Sequence, residues 1–161
     1  MTQTQNHWYI STKSKETRLF FSITFLIVVL DQYTKYLIET TKANINISFI
    51  TIQYSTNTGA GFGILQNNSF TLGIISMIAA LAILWYYPKI KHTPSNTILF
   101  ALLLGGTIGN GIDRLSKQYV VDFIATTFWP SFNIADAAIT IAVFAIIYTM
   151  IREEYGKKQE K

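Results

Sequence analysis

Asp122 and Asp136 lie fourteen residues apart, one inside Val120-Val121-Asp122-Phe123-Ile124 and the other inside Phe132-Asn133-Ile134-Ala135-Asp136-Ala137-Ala138. Two carboxylates held close together do not both ionise easily, so one keeps a proton while the other stays anionic. Such a pair can activate water with one member and protonate the developing oxygen with the other, which is peptide hydrolysis without a metal or a covalent nucleophile. The remaining aspartates, Asp31 and Asp113, also sit in or beside apolar segments, whereas all five glutamates lie in polar tails or at a helix end. A carboxylate at membrane depth is costly unless paired, wet or protonated, so each of the four is a candidate functional residue.

Other polar groups recur at the same ends of apolar segments. Asp31 and Lys35 are four apart and form a plausible intrahelical pair. Asn110, Asp113 and Arg114 share a helical face if their helix continues that far, and Asp113 next to Arg114 reads equally as a local brace. Asn57 opens Asn57-Thr58-Gly59-Ala60-Gly61-Phe62-Gly63, where three glycines in seven residues permit backbone that a Cβ would forbid. Asn133 and Asp136, three apart, share a face at the start of the last apolar segment. Taken singly, Asp122 is an ordinary loop residue and Asp136 a helix-start residue favoured by the dipole. Their convergence with Asn110, Asn133 and Arg114 is what favours chemistry.

The elements that must gather these groups are membrane spans. Phe70–Tyr87 holds 18 residues without a charge, enough to cross a hydrocarbon core about 30 Å thick. Three weaker candidates are Leu19–Ile38, Thr97–Ile112 and Phe132–Ile151, giving spans at about 19–38, 70–87, 97–114 and 132–151 within one integral membrane domain covering 1–161. Nine of the thirteen Lys and Arg residues fall in the two tails and the 87–97 loop, so the positive-inside rule puts those segments in the cytoplasm. The residues expected on the outer side are Lys35, Lys42, Arg114 and Lys117. The net charge of +4 is thus mainly a topology signal, and no interleaving of basic and aromatic residues suited to nucleic acid is present.

Residues 1–18 read as a solvated tail, and 152–161 as another. Ile45–Tyr54 is rich in β-branched and aromatic residues, which favours a small extended element on the outer face. The 115–131 segment reads as a second outer loop over the site. The absence of cysteine excludes disulfides and thiolate chemistry. Both histidines, His7 and His92, fall on the cytoplasmic side, which makes a histidine triad or zinc site improbable. No metal and no cofactor is expected.

Five blocks, in order, resemble the bacterial lipoprotein signal peptidases, the type II signal peptidases, which are intramembrane aspartyl proteases. They are Asp31-Gln32-Tyr33-Thr34-Lys35, Asn57 to Gly63, Gly109-Asn110-Gly111-Ile112-Asp113-Arg114, Val121-Asp122-Phe123 and Phe132-Asn133-Ile134-Ala135-Asp136. The resemblance covers roughly residues 19–151. It implies four transmembrane helices with a small extracytoplasmic β element and a mobile lid at Leu115–Ser131. It also implies that Asp122 and Asp136 form the catalytic dyad, acting on diacylglyceryl-modified prolipoproteins just before the lipidated cysteine. Asn110 and Arg114 would bind substrate backbone, Asn57 and Asn133 would order the dyad and nearby loops, and Asp31, Lys35 and Asp113 would support them. The implied setting is the bacterial cytoplasmic membrane, with a monomer among lipids, both termini cytoplasmic and the site near the outer face. One departure is Gly61, where the family usually has alanine.

Two other classes fit some of these residues. A small proton-coupled transporter or channel component would also use buried carboxylates, but it calls for titratable groups along the membrane's depth, and the inner halves of these spans carry none. A magnesium-dependent lipid transferase would want several carboxylates at tight helical spacing rather than two set fourteen residues apart.

Overall fold

The structure, a computed structural model, describes residues 3–61 and 64–159. Its elements run α1 (Gln3–Thr41), β1 (Asn44–Ile47), β2 (Ile50–Asn57), α2 (Ser69–Tyr86), α3 (Pro94–Ser116), β3 (Val120–Thr126) and α4 (Ile134–Gln159). Among the described residues four helical stretches are long and apolar enough to cross a membrane: Lys15–Thr41, Ser69–Lys89, Pro94–Ser116 and Ile134–Arg152. The four expected spans are therefore present, each longer than the sequence suggests. Phe25, Ile78, Leu81 and Phe144 are among many large apolar side chains left exposed, an arrangement a water-soluble fold avoids and a lipid surround satisfies.

Helix α3 is the hub, packing on α1, α2 and α4. Half of its most apolar window is buried (50%), against 17% in each of the other three. It starts sharply, because the Thr93 hydroxyl accepts from the Asn96 amide and Pro94 occupies the first helical position. Small residues let it approach its neighbours. A Cβ on Gly105 would come 2.8 Å from Ile27 Cβ, and one on Gly109 would come 2.6 Å from an Asp31 carboxylate oxygen. Both glycines of the small-xxx-small stripe thus face α1. At the far end of the bundle Phe20 stacks on Tyr87 with centroids 3.8 Å apart, and His92 meets the same tyrosine edge-on, remote from the aspartates.

Three expectations need correction. The tail before residue 19 is helical from Gln3, continuous with the first span. No proline or glycine precedes Gly59, so nothing in that stretch breaks the helix. The C-terminal tail likewise continues α4 to Gln159. The third correction concerns the segment expected to be a loop and lid over the site. Its centre, Val120–Thr126, is the strand β3, which joins β1 and β2 in an antiparallel sheet of order β1-β2-β3.

Candidate active site

Asp122 sits on β3 opposite Ser55 of β2, and the Ser55 hydroxyl donates to the Asp122 backbone carbonyl at 2.9 Å. The β2–β3 register shifts between Ile52 and Ser55, just before this pair. A short bridge between Ile124 and Phe132 then turns the chain back toward α4. Asp122 is consequently fixed by sheet pairing, whereas Asp136 is fixed by a helix.

Asn133 immediately precedes α4 and closes a reciprocal capping box with Asp136. Its side-chain oxygen accepts from the Asp136 amide at 2.9 Å, while the Asp136 carboxylate accepts from the Asn133 amide at 3.3 Å. The Asn133 side-chain NH2 donates to Asp122 at 2.7 Å. One asparagine therefore caps α4 and holds both carboxylates. Each carboxylate has a second amide donor: Asn57 Nδ2 reaches Asp122 at 3.2 Å, and Asn110 Nδ2 reaches Asp136 at 2.7 Å. The Asn57 oxygen accepts from the Gly59 amide, which leaves its NH2 for the aspartate.

Beneath these groups lies a fully buried ionic cluster. Lys35 Nζ is 2.7 Å from Asp31, 3.0 Å from Asp113 and 3.0 Å from the Asn110 oxygen. Asp31 also accepts from the Ala135 amide at 2.9 Å, tying α1 to the first turn of α4, where the helix dipole favours an anion. Gln32 Nε2 donates to Asp31 at 3.2 Å and to the Gly109 carbonyl at 3.1 Å, and the Val121 amide donates to Asp113 at 3.4 Å. With several donors around two carboxylates and one lysine, the cluster meets the conditions under which buried charge is tolerated.

The anticipated Asp113–Arg114 brace does not form: Asp113 pairs with Lys35 and, at 3.8 Å, with Lys117. Neighbours on a helix diverge by about 100°, so Arg114 turns elsewhere. Its guanidinium donates to the Gly59 carbonyl at 3.3 Å, while its buried Nε has no hydrogen-bond partner among the described residues. A Cβ on Gly59 would come 2.6 Å from the Ile64 carbonyl oxygen, so that loop is built on a true glycine. At Gly61 a Cβ would meet nothing within 4 Å, and the alanine usual in the resembled family would fit. Phe62 and Gly63 of the same block lie outside the described residues.

Asp122, Asp136, Arg114 and Asn57 line one cavity of about 390 Å³, together with Ser55, Gln66, Trp129 and Phe132. Burial pushes the Asp122 carboxyl up to about 7, and the negative charge of Asp136 adds to it, against the opposing donors Asn57 and Asn133. Asp122 therefore holds a proton at pH values where a free aspartate would not. A protonated carboxyl facing a second carboxylate across a wet cavity can perform concerted acid and base work.

All nine residues singled out in the sequence, Asp31, Lys35, Asn57, Asn110, Asp113, Arg114, Asp122, Asn133 and Asp136, meet in this network. Residues with no assigned role also join it. Gln32 was visible only as an amide within an apolar span. Ser55 carried no signal. Glu39 accepts from Lys117 at 2.7 Å and from Tyr119 at 2.6 Å, fastening the C-terminal end of α1 to the α3–β3 turn.

The family described as Signal peptidase (SPase) II matches residues 23–152. The chain belongs to the signal peptidase II family. Its sequence is 35% identical over 155 residues to a lipoprotein signal peptidase of Halalkalibacterium halodurans, covering 89% of this chain and 98% of that one. It is 39% identical over 142 residues to the corresponding protein of Francisella tularensis subsp. novicida, covering 80% and 88%. A solved bacterial membrane enzyme, determined by the in meso method at 2.3 Å resolution, superposes with a TM-score of 0.81 at 33% identity, over 86% of this chain and 90% of the other. The chain is thus a multi-pass membrane hydrolase of the peptidase class.

Proposed function

We propose that this chain removes signal peptides from diacylglyceryl-modified prolipoproteins, cutting just before the lipidated cysteine, with Asp122 and Asp136 as the catalytic dyad. The observation that carries the reading is the double grip of Asn133 on two carboxylates from different elements, which open on one polar cavity. Lipoprotein signal peptidases among its relatives supply the substrate class.

In the mechanism, ionised Asp136 takes a proton from a water molecule as that water's oxygen bonds to the scissile carbonyl carbon. Protonated Asp122 gives its proton to the carbonyl oxygen, forming a neutral gem-diol. Collapse returns the proton from the diol to Asp122, and Asp136 passes its proton to the departing amine. The C–N bond breaks, and the dyad is back in its starting state. Asn110 and Arg114 bind substrate backbone beside the dyad, a role suited to the unpartnered Arg114 Nε. Asn57 and Asn133 keep the carboxylates aligned, and Asp31, Lys35 and Asp113 brace them from below.

The basic residues of the tails and the 87–97 loop orient the chain in the bacterial cytoplasmic membrane with both termini inside and the dyad near the outer face. There a monomer meets lipid and water together. The test is a gel-shift cleavage assay on purified protein, with diacylglyceryl-modified prolipoprotein as substrate, the unlipidated form as control and EDTA in parallel. Cleavage confined to the lipidated form, insensitive to EDTA and absent in Asp122→Asn, is expected. Cleavage that survives in Asp122→Asn, or that EDTA stops, overturns the dyad mechanism.

A further inference from the structure

A second cavity, also about 390 Å³, backs onto the polar one. The two share Trp129, Phe132, Asp136 and Thr140, so Asp136 stands in the wall between them. The remaining lining is Thr126, Phe128, Ala137 and Ile141, which is almost wholly apolar. Phe128 is 80% exposed and Ile141 58%, so the slot opens sideways on the flank of α4 that faces lipid. Its lip is firm: the Thr126 hydroxyl donates to the Trp129 carbonyl and accepts from the Trp129 amide at 3.0 Å.

Besides Asp136, Thr140 is the polar residue that α4 contributes to the slot. It lies one turn beyond Asp136 on the same helical face. Helical hydroxyls in this chain usually donate back to a carbonyl four residues earlier, as Thr34, Ser76, Thr107 and Ser116 do. Thr140 is exposed and, among the described residues, makes no such bond. Its donor is left at the border between a wet cavity and an apolar slot.

We propose that this slot takes one acyl chain of the substrate's diacylglyceryl group and that the Thr140 hydroxyl donates to that chain's ester carbonyl. The inference rests on the lipoprotein reading above. If cleavage falls just before the lipidated cysteine, the glycerol begins only a few bonds from the scissile carbonyl, and its chains must leave the polar cavity beside Asp136. Continuity with that cavity selects this slot. A second apolar groove, between α2 and α3 and lined by Met77, Ile108 and Ile112, reaches neither aspartate. Bilayer lipid is as apolar as the slot, so the slot contributes orientation rather than hydrophobic affinity. It sets where the scissile bond falls relative to the dyad.

The experiment joins photolabelling to kinetics on the full chain. A diacylglyceryl peptide carrying a diazirine in one acyl chain is bound to Asp122→Asn, and the label is mapped. Attachment to Phe128, Trp129 or Ile141 is expected; attachment to Met77 or Ile112, or to no residue of the chain, overturns the slot. In the active enzyme Ile141→Trp, which fills the slot, should lower kcat/KM by about tenfold through misplacement. Thr140→Val should lower it about three- to tenfold, the usual effect of one lost hydrogen bond. Met77→Trp should leave it unchanged. Full activity in Ile141→Trp also overturns the slot. Failure of the unsubstituted enzyme to cut any lipidated peptide refutes the peptidase reading instead, and the label map still decides the slot independently.

Discussion

Lys35 Nζ meets the Asn110 side-chain oxygen at 3.0 Å, and that contact determines which end of the amide faces Asp136. Asn133 donates to the same oxygen at 3.2 Å, so only the NH2 is left for the carboxylate. A charge buried in the bundle thereby orients a donor at Asp136.

Removing that lysine should damage the fold more than its single hydrogen bond suggests. Lys35→Met leaves Asp31 buried without its cation and Asp113 with only Lys117 at 3.8 Å, and breaking such a buried pair typically costs about 3–5 kcal/mol. Thermal unfolding in detergent should show a large fall in midpoint. A midpoint equal to that of the unsubstituted enzyme would show that the cluster contributes nothing to stability.

The raised Asp122 carboxyl predicts a particular pH dependence. It is pushed up to about 7 in the folded chain from an ordinary value of 3.8. Between those values the folded chain holds a proton that the unfolded chain has released. Stability therefore falls as pH rises through that window, and the penalty is complete above about 7. The proposed mechanism needs one proton on the aspartate pair, so rates should decline on the alkaline side with a midpoint near 7. Rate against pH checks the second statement. Melting temperature against pH checks the first, and Asp122→Asn should flatten that slope.

Asn133→Ala should separate two jobs held by one side chain. Loss of the cap alone costs about 1 kcal/mol, a modest drop in melting temperature. Turnover should fall by far more, because Asp122 loses its 2.7 Å side-chain donor while the backbone amide of residue 133 still reaches Asp136. Equal and small losses in both measurements would show that the alignment is supplied elsewhere.

Two glycines should respond oppositely to alanine. Gly61→Ala meets open space and should leave stability unchanged or raise it by about 0.4–1 kcal/mol. Gly109→Ala drives a methyl group against the Asp31 carboxylate and should destabilise strongly, by about 1–3 kcal/mol or more. Parallel melting curves of the two variants make the comparison.

The site was legible because its chemistry is polar and its surroundings are not. In a chain where apolar residues dominate, Asp31, Lys35, Asn110 and Asn133 stand out by residue type alone. The strand β3 was not legible, for a physical reason. Its first four residues are all buried, so Val120-Val121-Asp122-Phe123 shows none of the alternation that marks a half-buried strand. Its partner β2 lies far back in the chain, and spacing cannot reveal such a pairing. Adjacent Asp113 and Arg114 misled for a different reason, since neighbours on a helix point apart. Ser55 and Thr140 are ordinary hydroxyl residues until the fold puts them beside a carboxylate.

Asn133 finally bears on how this enzyme can change over generations. One side-chain amide both caps α4 through its oxygen and holds Asp122 through its nitrogen, so a substitution there that loosens the grip of a blocking compound should also loosen the proposed dyad. Escape by drift at the centre of the site is closed. A compound whose contacts are confined to Asn133, Asn110 and the two aspartates would leave resistance to arise at the rim of the cavity, through lining residues such as Gln66.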